Sequence, residues 1–150
     1  MNAPYPVQSL VESLGGTAVF ERAVASELDL ARETETGFPS ASLSHVLIAL
    51  GDADVPQQMV YAVVGSARTL QRKRQTHARL SHDESDRLAR MLRMIARAEE
   101  AIGSRERALR WVVKPNRALD GLPPLTLLAS DAGALAVERV LGRIEHGIVS

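Results

Sequence analysis

Apolar residues recur along this chain at helical spacing, and nowhere do they alternate with polar ones long enough to make a strand. Leu43, Val46, Leu47 and Leu50 fall at i, i+3, i+4 and i+7, and Gly51 stops the run. Leu88, Met91, Leu92, Ile95 and Ile102 form a longer stripe. It opens at Ser81-His82-Asp83-Glu84, a pattern in which side chains and backbone cap each other, and closes at Gly103. Val137, Val140, Leu141 and Ile144 share a third face, after a cap at Ser130 or Asp131 and before Gly147. Shorter helices are predicted before Gly15-Gly16, over 20–30 (where Phe20, Val24 and Leu28 lie four apart), and over 55–64, with Pro56 accepted in the first turn. Others run from a Ser66 cap through Arg74, from a Ser104 cap to just before Pro115, and from Pro123-Pro124 to Leu128. Asp83 with Arg87, and Asp86 with Arg90, are spaced for i, i+4 ion pairs. The fold class is all-α, with a boundary expected near 76–82.

A chain of 150 residues, 45% of them apolar, is long enough to bury a core. Only Tyr5, Phe20, Phe38, Tyr61 and Trp111 are aromatic, so that core is built from Ala, Val, Leu and Ile. Trp111 is expected to anchor it between helices. The absence of cysteine excludes disulfides, thiolate nucleophiles and cysteine-ligated zinc. The longest apolar runs, 46–50 and 59–64, are too short to cross a bilayer, and no Lys or Arg precedes Arg22 to make a secretory n-region. A cytoplasmic protein without membrane contact is expected.

The formal net charge is zero, yet it is unevenly spread. Residues 1–54 carry a net of −6, and 83–150 a net of +1. Residues 55–82 have no acid and five bases: Arg68, Arg72, Lys73, Arg74 and Arg79. Such an island points to a polyanion or an acidic partner, or else to a solvated helix face. Two short helices over 55–74 with a tight turn between them follow the plan of a helix-turn-helix, whose second helix enters the major groove. Ser66 and Thr69 would donate to phosphate, while Arg68, Gln71, Arg72 and Arg74 would reach phosphates or base edges. A plain helical hairpin fits the same residues. Gly65 and Val64 depart from the usual turn, which has an aliphatic residue before the cap and glycine earlier.

Catalytic patterns are lacking. His77 and His82 lie five apart in an expected loop, with His45 and His146 far off, so surface histidines are expected and no metal site. No phosphate loop or nucleophile elbow occurs, and Glu99-Glu100 reads as a solvated face. No enzyme and no cofactor are expected. Gly142 lies inside the last helix, at a cost of about 1 kcal/mol against Ala unless it permits close packing. It therefore hints at an interface. Ile148-Val149-Ser150 continue past Gly147 and would reach into a groove elsewhere or fray.

The segments ALRWVVKPN (108–116), 125–128 and GALAVERVLGRIEHG (133–147) closely resemble the C-terminal toxin-binding domain of Xre/MbcA/ParS-type antitoxins. The stretch 80–103 resembles the family's connecting helix, and 26–30, 37–43 and 66–74 are similar to its N-terminal helix-turn-helix part. The resemblance covers nearly the whole chain; Pro123 departs from a capping Thr common before Pro-Leu. It implies an N-terminal helix-turn-helix-like domain over 1–78 and a toxin-binding domain over 79–150. It also implies a RES-domain toxin partner that consumes NAD or transfers ADP-ribose, inhibited by occlusion of its NAD pocket. Homodimerisation and, in some members, repression of the protein's own operon by binding operator DNA belong to the same expectation. The expected toxin contacts are Arg139, Arg143, Glu145, His146, Ile148 and Val149. A stand-alone helix-turn-helix transcriptional regulator is the alternative, and a self-associating helical scaffold a third reading.

Overall fold

A computed structural model describes residues 5–147. Among these residues there is no strand, only the isolated bridges Pro39–Arg79 and Asn116–Leu122. The α-helices are α1 (Val7–Ser13), α2 (Glu27–Thr36), α3 (Ser40–Gly51), α4 (Gln57–Val64), α5 (Ala67–Thr76), α6 (His82–Ile102), α7 (Arg105–Val113) and α8 (Asp131–Glu145). Three 3-10 turns, Gly16–Ala18, Arg117–Leu119 and Pro124–Leu127, join them.

The axis of the molecule is α6, which at 21 residues spans about 30 Å. Both halves of its capping box form: the Glu84 amide donates to Ser81 Oγ at 3.1 Å, and the Ser81 amide donates to Glu84 Oε1 at 2.7 Å. Leu88, Ala89, Met91, Leu92, Ile95 and Ala98 turn inward from it. They pack against α1, α2 and α4 on the N-terminal side and against α7 and α8 on the other. One apolar cluster runs without a break across the connection between α5 and α6 and through α6.

The corner between α2 and α3 is stitched to the start of α6. The Leu80 amide donates to the Phe38 carbonyl at 2.8 Å, the Phe38 amide to Ser85 Oγ at 2.8 Å, and Arg79 to the Gly37 carbonyl at 2.8 Å. Gly37 has a φ of +96°, and a β-carbon there would collide with the Leu80 carbonyl oxygen. Only glycine fits.

Several expectations are corrected. The helix read over 20–30 begins only at Glu27 and runs on to Thr36. Ser26 caps it, accepting from the Asp29 amide at 3.1 Å, while the Asp29 carboxylate accepts from the Ala25 amide at 3.0 Å. The bond from the Ala25 amide foremost, with hydrogen bonds from Ser26 and the charge of Arg32, holds the Asp29 carboxyl below the usual range. Phe20 and Val24 are buried from irregular backbone, Phe20 edge-on to Phe38 at 5.6 Å, and Leu28 faces solvent. Three apolar residues four apart were too few to outweigh a local cap. Gly51 is the last residue of α3 rather than its stop. Trp111 packs against the core half-buried, at its edge. Asp86 and Arg90 pair at 2.7 Å, but Asp83 lies beside His82, and Arg87 donates instead to the Val64 carbonyl at 3.3 Å. His82 opens α6 rather than lying in a loop.

Candidate functional site

Two helix faces carry the residues singled out by sequence. On α5, the Ser66 hydroxyl accepts from the Thr69 amide at 3.4 Å and Leu70 is buried. Ser66, Arg68, Gln71 and Arg72 are exposed and Thr69 is half-buried. Arg68 and Arg72 have no ion-pair partner among the described residues. Arg74 is not brought to this open face. Its Nε donates to Ser44 Oγ at 2.9 Å and its terminal nitrogen to the Tyr61 hydroxyl at 2.8 Å, which ties α5 to α3 and α4. Lys73 is also committed, through a 2.6 Å bond to Glu84 Oε1. Burial works against the Glu84 carboxylate, but the bonds from Lys73 and the Ser81 amide prevail and hold its carboxyl below the usual range. Gly65 stands where a helix-turn-helix usually has a larger residue. A β-carbon there would lie 3.4 Å from Glu84 Oε2, so a longer side chain would crowd the Lys73–Glu84 pair.

The second face belongs to α8, capped by Ser130, whose hydroxyl accepts from the Gly133 amide at 3.0 Å. A β-carbon at Gly133 would meet the Leu127 carbonyl, so glycine lets the preceding turn close against the helix. Val137, Val140 and Leu141 face the core, with Ile144 packed against it. Arg139, Arg143 and His146 are exposed, and neither arginine has an ion partner among the described residues. Glu145 does not join them. It turns back to α6, where Arg97 holds both of its carboxylate oxygens at 2.7 and 3.2 Å. Arg97 Nε also reaches both oxygens of Glu138, at 2.9 and 3.1 Å. The bonds to Glu145 and Glu138 raise the Arg97 pKa further above the ordinary arginine value against its burial. Ile148 and Val149 lie outside the described residues.

Sequence reading missed the cleft between α2 and α8, floored by α6, of about 1390 Å³. Arg90, Arg93 and Arg97 line its floor and pair with acids on both walls: Asp131, Glu27, and Glu138 with Glu145. The signal was present in the i, i+3, i+7 spacing of these arginines, but their partners lie on other helices. Among the described residues, no group of His, Asp or Glu is placed to hold a metal, and no helix is long and apolar enough to cross a membrane.

The family model described as "Antitoxin Xre/MbcA/ParS C-terminal toxin-binding domain" matches residues 97–147, which begin at Arg97 and include all of α7 and α8. A second, "Antitoxin Xre-like helix-turn-helix domain", matches residues 29–93, from α2 into α6. A protein named Antitoxin Xre from Photorhabdus laumondii is 32% identical over 130 residues, covering 76% of this chain and 87% of its own length. Another of that name from Yersinia enterocolitica is 33% identical over 100 residues, covering 65% of this chain and 68% of its own. A third, from Pseudomonas putida, is 38% identical over 80 residues, covering 53% of this chain and 50% of its own.

Proposed function

The chain belongs to the Xre antitoxin family, and we propose that it neutralises a RES-domain toxin by covering the mouth of the toxin's NAD pocket with the end of α8 and the residues that follow. At the level the relatives support, it is the helix-turn-helix-bearing antitoxin of a toxin–antitoxin pair, a non-catalytic regulatory role by its family's name. The observation that carries the finer reading is the split of charges on α8. Glu138 and Glu145 are drawn inward by Arg97, which leaves Arg139 and Arg143 exposed and without an ion partner among the described residues. A guanidinium fork of this kind suits carboxylates at the rim of a partner's cavity. The clamp at Glu145 fixes the end of α8, and Ile148 and Val149, which follow in the sequence, would act as an apolar plug.

The test is neutralisation of a co-expressed RES-domain toxin, sought in the neighbouring reading frame. Removing residues 148–150 leaves the whole of α8 (Asp131–Glu145) in the chain and is expected to abolish protection; so is Arg139→Glu combined with Arg143→Glu. A chain shortened to 147 that still protects cells refutes the plug. A cut at 140 is a poorer test, since it also removes buried Val140 and Leu141 and the Glu145 half of the Arg97 clamp.

The exposed Ser66, Arg68, Gln71 and Arg72 favour a second activity, binding of operator DNA by α5, with the protein as a homodimer. On this reading residues 1–78 hold DNA and 79–150 hold the toxin. Loss of a gel shift at low salt in the wild-type protein would remove this role without touching the first.

A further inference from the structure

We propose that the toxin makes its closest approach to this chain at Gly142, on a face of α8 that also presents Leu135, Arg139 and Arg143. This rests on the reading of α8 as the toxin-binding helix and adds the point of contact and the chemistry of the partner.

Glycine in a helix interior is destabilising, so each one needs a reason. Gly37 and Gly133 have theirs inside the molecule, because a β-carbon would strike the carbonyls of Leu80 and Leu127. Gly16, Gly103, Gly121 and Gly147 have open surroundings but positive φ, and Gly51 ends α3. Gly142 has none of these. It lies within α8, its φ is not positive, and among the described residues no atom beyond its chain neighbours and its own helix backbone lies within 4 Å of a β-carbon built there. The folded chain gives no use for the missing side chain. A molecule docked from outside does.

The surroundings say what kind of molecule. Leu135, Arg139 and Gly142 follow each other at spacings of four and three, which places them on one side of the helix, with Arg143 adjacent. Leu135 is 51% exposed, unusual for a leucine in a helix whose other large aliphatics are packed. Arg139 and Arg143 are exposed and have no ion partner among the described residues. The acids of the same helix cannot serve them: Glu138 and Glu145 are held by Arg97, and Asp131 by Arg90. The complement is a surface with an apolar spot opposite Leu135, carboxylates opposite the two arginines, and main chain or small residues pressed onto Gly142. From Leu135 to Arg143 this strip runs about 12 Å along the axis. It therefore extends the contact well back from the C-terminal end.

Gly142→Ala and Gly142→Met in the full chain separate the two demands on this residue. Thermal melts of the free protein are expected to rise by about 2–4 °C, since either side chain suits a helix better than glycine. Binding to the purified toxin, followed by calorimetry with an inactive toxin variant as the probe, is expected to weaken about tenfold for Ala and about a hundredfold or more for Met. Unchanged toxin affinity in both variants overturns the proposal, as does a lower melting temperature for Gly142→Ala. A loss of self-association with toxin affinity intact also overturns it, giving the face to a second copy. If the wild-type chain itself fails to bind the toxin, the toxin-binding reading falls and this inference with it; binding by wild type and Gly142→Met alike sinks this inference alone.

Discussion

Arg97 in α6 holds both carboxylate oxygens of Glu145, 48 residues later in the last turn of α8, at 2.7 and 3.2 Å. The same guanidinium holds Glu138 two turns earlier, so one side chain fixes α8 at two heights. A planar fork with fixed donors is suited to this, and an ammonium is not. Arg97→Ala is expected to cost about 1–3 kcal/mol, discounted for the partial exposure of Glu138, and so to lower the melting temperature by several degrees. Arg97→Lys should recover less than half of that. Toxin affinity is expected to fall along with stability, because the end of α8 loses its anchor. A double-mutant cycle with Glu145→Ala that shows no coupling in melts would contradict this.

The Lys73–Glu84 bond joins α5 to α6 and gives stability a pH dependence of known sign. Glu84 has a lower pKa folded than unfolded. Its contribution is therefore complete above the unfolded value of about 4.3 and fades as the pH falls through the lower folded value. Glu84→Gln is expected to destabilise the chain at pH 7 by about 1–3 kcal/mol, with the gap from wild type closing below pH 4. Urea melts across that range measure it, and a gap of constant size would rule the pair out as the cause.

The arginines of α5 are not equivalent. Arg68→Ala with Arg72→Ala is expected to abolish an operator gel shift and, at low salt, to lower the slope of log affinity against log salt by about 2, without altering the melt. Arg74→Ala is expected to act differently. It removes the bonds to Tyr61 and Ser44, so it should lower stability first and DNA affinity only as a consequence. Equal thermal stability of all three proteins would show that the Arg74 contacts contribute nothing.

Gly37→Ala sets a β-carbon against the Leu80 carbonyl at a backbone angle that favours glycine. The corner must open, and with it the bonds that tie 37–38 to 79–85. A loss of about 3 kcal/mol or more is expected in urea unfolding. A loss below about 1 kcal/mol would show that the corner yields freely.

Elements set by near neighbours were legible in the amino-acid order. The α3 stripe, the Ser81–Glu84 capping box, and the caps at Ser66, Ser104 and Ser130 depend on groups three or four residues away, and all are present. The start of α2 is equally local: the Ser26 cap fixes it, and three apolar residues four apart do not carry the helix back to Phe20. What only tertiary packing decided is which charged side chains remain available. Arg74 was read as facing outward, yet its acceptors lie 13 and 30 residues back; Glu145 was read as a toxin contact, yet its cation is 48 residues back. A charge on a helix is assigned to solvent or to a partner by whatever the fold brings opposite it, and helical periodicity carries no information about that.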